Sequence, residues 1–236
     1  MQESAESGNA DRRKAGDVDL RKLLCALLAA ALLAGPVRAA PCVALTFDDG
    51  PSGDNTLALM ALLEEKQVRA TFFLCGYRIE AYPALSGALR AAGHELGVHG
   101  YSHDCFDAMD PAQLRDEIAR TAALLGGTPT LLRPPCGAWN AQVREAAREA
   151  GLSVILWSVD PEDWRCRDPA EIARRVCERA SDGSVILLHD LYPETVEAAG
   201  RIIDRLRAEG YEFRTVSELA EQTGAELRPG EVFSGF

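Results

Sequence analysis

Residues 42–51 read CVALTFDDGP: six uncharged residues rich in β-formers run straight into two adjacent carboxylates, Asp48 and Asp49, and a Gly-Pro turn. A short apolar run bounded by turn residues is the pattern of a strand buried on both faces, as in a parallel sheet. Six further runs match it, at residues 70–75 (ATFFLC), 94–99 (HELGVH), 130–133 (TLLR), 153–159 (SVILWSV), 184–189 (SVILLH) and 211–216 (YEFRTV). Helical patterns separate them. Asp110-Pro111 with Gln113 supplies an N-cap, a first-turn proline and a capping-box partner, and Leu114, Ile118, Thr121 and Leu125 form the apolar stripe behind them. Asp168-Pro169 with Glu171 repeats that start ahead of Ile172 and Val176. Val196, Ala199, Ile203 and Leu206 stripe a third helix that should stop at Gly210, and Ser217 is the expected cap of the last.

Seven strands alternating with helices imply an α/β fold with a parallel sheet, either doubly wound or closed into a small, imperfect barrel. Periodicity does not separate the two. The placement of polar residues favours the barrel, because a barrel gathers its active site at the C-terminal ends of several strands. Taken alone, Asp48 and Asp49 read as turn or helix-cap residues. His99 and His103 follow the third run, are two of only four histidines, and stand four apart, a spacing that puts both on one face of a helical turn and lets their nitrogens converge on one ion. Asp49 is the carboxylate to complete that set, two imidazoles and a carboxylate with positions left for water. Arg133 opens the stiff turn RPPCG after the fourth run, Asp163-Trp164 follows the fifth, and His189-Asp190 ends the sixth, where packing gives no reason for a His-Asp pair. His94, which lies before the end of its strand, is read as structural.

In order, TFDDG, H-x-x-x-H, R-x-P-x-G, D-W and L-x-H resemble the motifs of the NodB-homology polysaccharide deacetylases, a carbohydrate esterase family, over nearly all of residues 42–220. The resemblance implies a distorted seven-stranded (β/α) barrel. It also implies roles: Asp48 as general base, Asp49, His99 and His103 as ligands of one divalent metal ion, and His189 as general acid. Arg133 would tune Asp48, and Asp163 would tune His189. Trp164 and Leu187 would wall the acetyl pocket, and the backbone N–H of Cys136 would help hold the oxyanion. Zinc is the expected metal, with cobalt, nickel or manganese as alternatives. The expected reaction is hydrolysis of an acetamide to acetate and a free amine. One departure stands out: the family often has tyrosine where this chain has Cys136, which alters a side chain at the site and leaves the backbone N–H in place.

The phrases RPPCGAWN and WSVDPEDW are most like bacterial peptidoglycan N-acetylglucosamine deacetylases, with chitin oligomers and acetylxylan as alternative substrates. A small-molecule amidase and a non-catalytic carbohydrate-binding protein are the remaining alternatives. The second conflicts with a full set of Asp48, Asp49, His99, His103 and His189, which mere binding does not require. A net charge of −11, from 36 acidic and 25 basic residues, supplies no basic face for phosphates and excludes nucleic acid as a partner. Residues 1–40 form a separate segment: Arg21-Lys22 lead into the uncharged run LLCALLAAALLA at 23–34, which ends in GPVRAA. That is signal-peptide length and short for a membrane span, so export is expected, with the segment cleaved near Ala39 or Ala40 or kept as an anchor. Residues 41–236 are then the catalytic domain, expected to act as a monomer. Six of the seven cysteines lie in it, a number that permits disulfides in an exported protein without fixing their pairing.

Overall fold

The computed structural model describes residues 40–236, so all but the last residue of the expected leader lies outside the described residues. Strand β1 (Cys42–Asp48) is buried over its whole length, as its composition requires. It pairs in parallel with β2 (Thr71–Leu74), β6 (Ser184–His189) and β7 (Glu212–Arg214). Beyond β2 the sheet continues through β3 (Glu95–Val98), β4 (Leu131–Leu132) and β5 (Ser153–Ile155) to β8 (Val232–Phe233). All seven expected strands are present. The eighth, two residues long, was not among the expected strands.

The sheet curls into the distorted barrel. A parallel bridge from Val159 to Ile186 and an antiparallel one from Ser184 to Gly235 draw its two ends together. This closure divides the run at 153–159, expected as one strand. Leu156 N donates to Phe233 O (2.7 Å), whereas Ser158 N and Val159 N donate to Val185 O (3.0 and 3.2 Å), so the chain changes neighbours midway.

Because side chains alternate across a strand, each strand divides its residues between two cores. Val43, Leu45, Phe47, Phe72, Leu74, Leu96, Val98, Leu132, Val154, Ile186 and Leu188 pack in the larger core with the helices. Cys42, Ala44, Phe73, Leu131, Ile155 and Val185 fill the smaller core inside the barrel. Continued two residues at a time, the inward set reaches Asp48 on β1, His99 after β3, Arg133 after β4 and His189 on β6. One parity thus packs the barrel and then lines its mouth.

The helices are α1 (Asp54–Glu65), α2 (Gly76–Ala81), α3 (Pro83–Ala91), α4 (Pro111–Leu125), α5 (Ala141–Glu149), α6 (Pro169–Arg179), α7 (Pro193–Ala208) and α8 (Val216–Thr223). Asp110 forms the expected capping box with Gln113, and Asp168 caps α6 through Ala170 N and Glu171 N. On α7 the buried stripe is Thr195, Ala198, Ala199, Ile202, Ile203 and Leu206, with Val196 only partly buried at its edge. Ser217 is not the cap of α8. Thr215 is, in a capping box with Glu218, because the buried Val216 already belongs to the helix. Val216 N donates to Thr71 Oγ1 (2.9 Å) and Ser217 N to Glu95 Oε2 (3.2 Å), which ties the start of α8 to β2 and β3. Among the described residues no helix is long and apolar enough to cross a membrane.

Gly97 on β3 makes room for Phe73: a Cβ there would lie 2.5 Å from the phenyl ring. Gly97→Ala is therefore expected to destabilise the fold by about 1–3 kcal/mol through overpacking, read as a lower urea midpoint at unchanged m-value.

Candidate active site

Asp48 is the last residue of β1, level with His189 on β6 and Phe73 on β2. The chain then turns sharply: Asp49 has φ 70 and the Gly50–Pro51 peptide is cis. Helix α1 begins only at Asp54, with Gly53 as its N-cap, so neither aspartate is a helix cap. The turn is built against β6 instead. Ser52 Oγ donates to Asp190 O (2.6 Å), Thr56 Oγ1 donates to Asp190 Oδ2, and a Cβ on Gly50 would lie 2.6 Å from the Asp190 carboxylate. The other Asp190 oxygen, Oδ1, is buried without a partner, and burial pushes this carboxyl up to about 7.

Arg133 is fully buried, the largest such side chain among the described residues. Its Nη1 donates to Asp48 Oδ1 and to Thr46 Oγ1, both at 2.7 Å, its Nε to Ile155 O (3.1 Å) and its Nη2 to Leu156 O (2.8 Å). The Phe73 ring centroid lies 4.2 Å from Cζ. Thr46 Oγ1 in turn donates a hydrogen bond to Ile186 O (2.7 Å). Burial pulls the Arg133 pKa down, and the Asp48 carboxylate opposes this. Asp48 Oδ1 is therefore committed to the guanidinium. Its Oδ2 faces His99, 3.9 Å from Nε2.

His99 and His103 converge as the spacing anticipates, but through a loop and not a helical turn: Gly100 (φ 78) and His103 (φ 70) both take left-handed backbone. Two hydrogen bonds from Tyr101 N (2.6 Å) and Ser102 N (2.8 Å) to Glu117 Oε2 pin this loop. Asp49 Oδ1 lies 3.2 Å from His99 Nε2 and 2.9 Å from His103 Nε2. Burial acts to raise the Asp49 carboxyl, yet the imidazoles of His103 and His99 close beside it outweigh burial and hold the group well below the usual carboxylate range. The Asp49 contact raises His103 against the effect of burial.

This trio fits a divalent cation on two counts. His99 Nδ1 lies 2.7 Å from Arg133 O, which accepts a hydrogen bond from Nδ1–H, so in the neutral ring Nε2 carries the lone pair and faces the carboxylate. Asp49 Oδ1, which both imidazoles face, is buried with no hydrogen-bond partner of satisfactory geometry. Lone pairs of like sign crowd one point, and a cation bound by all three resolves the conflict. The three ligand atoms lie within 4.8 Å of one another.

Across the mouth, His189 Nδ1 meets Asp163 Oδ1 at 2.8 Å, while Asp163 Oδ2 accepts from His189 N and Thr195 Oγ1, each at 2.8 Å. Asp163 is fully buried. Burial alone would lower the His189 pKa, but Asp163 reverses the sign and raises it to about 9. Trp164, next in sequence, stands at the rim and is 48% exposed, whereas Leu187 is buried two residues before His189 on the inward parity. The two expected acetyl-pocket walls thus differ: one is already packed and the other is open to solvent. Cys136 adopts φ 59, and among the described residues no acceptor takes its N–H. His94 is buried and its Nδ1 accepts from Ala70 N (3.2 Å), a packing role away from the mouth.

Thr46, Thr56 and Thr195 complete this network without having stood out in the sequence, whereas Asp190 was marked there only by its pairing with His189. Thr46 was within reach of it, since it precedes Asp48 by two and shares its face. Thr195 lies on α7, 32 residues from Asp163, and nothing local marks it.

The family model for polysaccharide deacetylases matches residues 36–155. The chain belongs to this family. A peptidoglycan-N-acetylglucosamine deacetylase of Listeria monocytogenes is 36% identical over 81% of this chain, which spans only 41% of that relative's length. The solved peptidoglycan deacetylase PdaC of Bacillus subtilis superposes with a TM-score of 0.75 at 36% identity, covering 79% of this chain and 93% of that one. A family 4 acetyl xylan esterase of Clostridium thermocellum, solved with a cobalt ion, gives a TM-score of 0.77 at 33% identity and covers 82% and 98%. These structures share the curled parallel sheet, which establishes the barrel and, with it, a hydrolase family.

Calorimetric titration with zinc or cobalt is expected to show one site per chain. His103→Ala and Asp49→Ala should each weaken it by at least about tenfold, and His94→Ala should leave it unchanged.

Proposed function

We propose that this protein is a metal-dependent hydrolase that removes acetyl groups from N-acetylglucosamine residues of a polysaccharide, peptidoglycan in the first instance, and releases acetate. The observation that carries the proposal is the pairing, at one barrel mouth, of a carboxylate held by Arg133 with an imidazole held by Asp163, on either side of a cation-binding trio. Asp49, His99 and His103 hold the cation, which we take to be zinc. When bound, it supplies Lewis acidity for a poorly electrophilic amide carbonyl and for the attacking water.

The chain's own residues do the rest. Asp48, with Oδ1 fixed by Arg133, presents Oδ2 to take the water's proton. Arg133 supplies this carboxylate's counter-charge and fixes its direction. His189, with Nδ1 turned to Asp163, has Nε2 left to donate a proton to the departing amine. Its pKa of about 9 means that it carries that proton at neutral pH. The N–H of Cys136, free of other acceptors, donates to the developing oxyanion. Trp164 offers an exposed aromatic face at the rim for the sugar. The names of the relatives support peptidoglycan as substrate, and the xylan esterase keeps acetylxylan among the substrates to be assayed. Export accords with this substrate, and a leader over residues 1–40 would deliver the domain to the wall.

Metal-loaded protein is expected to release acetate from acetylated peptidoglycan in preference to chitin oligomers or acetylxylan, and to lose this on chelation. Asp48→Ala should lower kcat by at least about 10²-fold. Release from none of the three polymers by folded, metal-loaded protein would overturn the proposal.

A raised histidine pKa gives a definite pH dependence. The protonated acid is present below about 9 and lost above it, so kcat/KM should fall on the alkaline side with an apparent pKa near 9. The stabilising His189–Asp163 interaction follows the same sign: it is complete below the ordinary histidine value and disappears as pH rises through about 9. In Asp163→Asn, burial acts on His189 without its carboxylate, and the alkaline limb should move below about 7.

A further inference from the structure

The segment that leads into α6, residues 160–168, carries both Asp163 and Trp164, and arginine side chains hold its backbone. At its centre is a tight turn: Asp160 Oδ1 accepts from Glu162 N (2.7 Å), Glu162 takes φ 61, and Arg165 N and Cys166 N both donate to Glu162 O (3.1 and 2.9 Å). Four other carbonyls of the segment are met by guanidinium groups. Arg179 Nη1 donates to Asp160 O (3.1 Å) and Arg175 Nη1 to Pro161 O (3.0 Å), both from α6. Arg167 takes the remaining two, with Nη1 on Asp163 O (2.7 Å) and Nη2 on Trp164 O (2.9 Å).

Of these three arginines, Arg167 also reaches the end of another strand. Its Cζ lies 3.4 Å from the ring centroid of Tyr192, a stacking distance. Tyr192 stands three residues after His189, at the start of α7, where its side chain makes no capping hydrogen bond. Asp163 joins the same two segments inside the mouth, through His189 N, His189 Nδ1 and Thr195 Oγ1. Arg167 therefore repeats from the solvent side, where it is exposed, the link that the buried carboxylate makes within.

We propose that Arg167 is a positioning residue: by holding the carbonyls of Asp163 and Trp164 and stacking on Tyr192, it keeps the Asp163 carboxylate seated on His189 and the Trp164 ring at the rim. Its role in the reaction rests on the reading of His189 as general acid. The site suits arginine because a planar fork meets two carbonyls at once and offers a flat face to an aromatic ring, which a lysine ammonium does not. The position of Arg167 and its charge act on His189 with opposite signs. Removing a nearby cation favours the imidazolium and raises its pKa, whereas loosening Asp163 leaves burial to lower it. The other charged and titratable groups that face His189 are Asp48 and Asp49 on β1 and its turn, Asp160 on the same segment as Asp163, Asp190 beside it on β6, and His103 across the mouth. Arg167 bonds to none of their side chains, so the direction of the change in His189 reports on Asp163.

The test uses the full, zinc-loaded chain and two readouts: the pH profile of acetate release, and the His189 titration followed by NMR, which needs no substrate. In Arg167→Ala, kcat/KM is expected to fall by about tenfold or more, and both the alkaline limb and the His189 titration to move down by about 1 pH unit relative to wild type. Arg167→Lys keeps the charge and should show the same direction of change. Tyr192→Leu, which removes the stacking face and leaves both carbonyl contacts possible, should give a smaller shift of the same sign, and it serves as the test should Arg167→Ala fold poorly. A His189 titration that stays in place or moves up in Arg167→Ala would overturn the proposal, as would wild-type behaviour of Arg167→Lys, since charge alone would then account for the residue. Absence of acetate release by the wild-type protein would instead overturn the reading of the reaction, and the NMR titration would still decide whether Arg167 seats Asp163 on His189.

Discussion

The buried guanidinium of Arg133 is the constraint on which the rest of this molecule depends. A charge of that size inside a barrel is tolerable only where every donor is met and a counter-charge is in contact. Each guanidinium nitrogen of Arg133 finds an acceptor and Asp48 supplies the counter-charge, from the ends of two strands: Thr46 and Asp48 on β1, Ile155 O closing β5, and Leu156 O just beyond it. The same residue's carbonyl accepts from His99 Nδ1. One arginine thus orients Asp48, the proposed base, through its side chain and His99, a proposed metal ligand, through its backbone. Breaking such a buried pair by removing one partner costs about 3–5 kcal/mol, so stability and site geometry are coupled here.

A second buried carboxylate does comparable work on the opposite side. Asp163 spends one oxygen on the His189 ring and the other on His189 N and Thr195, and so fixes both the imidazole's tautomer and its position at the end of β6. The two devices run in opposite directions: a cation holds the carboxylate that we propose accepts a proton, and a carboxylate holds the imidazole that we propose gives one. Asp48 and His189 are level on adjacent strands, and each is held by a buried partner of opposite charge. Asp190 supports the arrangement from below by receiving Ser52 and Thr56 and leaving room for Gly50, so that the turn carrying Asp49 is seated on the strand carrying His189.

Much of this was legible in the sequence because it depends on local rules. Runs of β-formers, N-caps at Asp110 and Asp168, and polar residues at strand ends gave the strands, two of the helix starts and the trio Asp49, His99 and His103. Where local rules failed, a tertiary contact decided. Ser217 lost the cap of α8 to Thr215 because Val216 had to be buried. The run at 153–159 broke because its backbone passes from β8 to β6. His99 and His103 meet through left-handed residues of a loop, not by helical spacing.

The sequence by itself determined the alternation of elements, the parity that sends Asp48, Arg133 and His189 to one face, and the chemical types available there. These follow from side-chain size, polarity and the two-residue period of a strand, all of which are written locally. Tertiary structure alone decided which partner each group has: Arg133 for Asp48, Asp163 with Thr195 for His189, and Asp190 for the turn at Gly50. Those partners stand between 26 and 140 residues apart in the chain for the hydrogen bonds that set the mouth, from Asp163 and His189 to Thr46 and Ile186. Only closure of the barrel brings them within reach, and no local pattern encodes a contact made by closure.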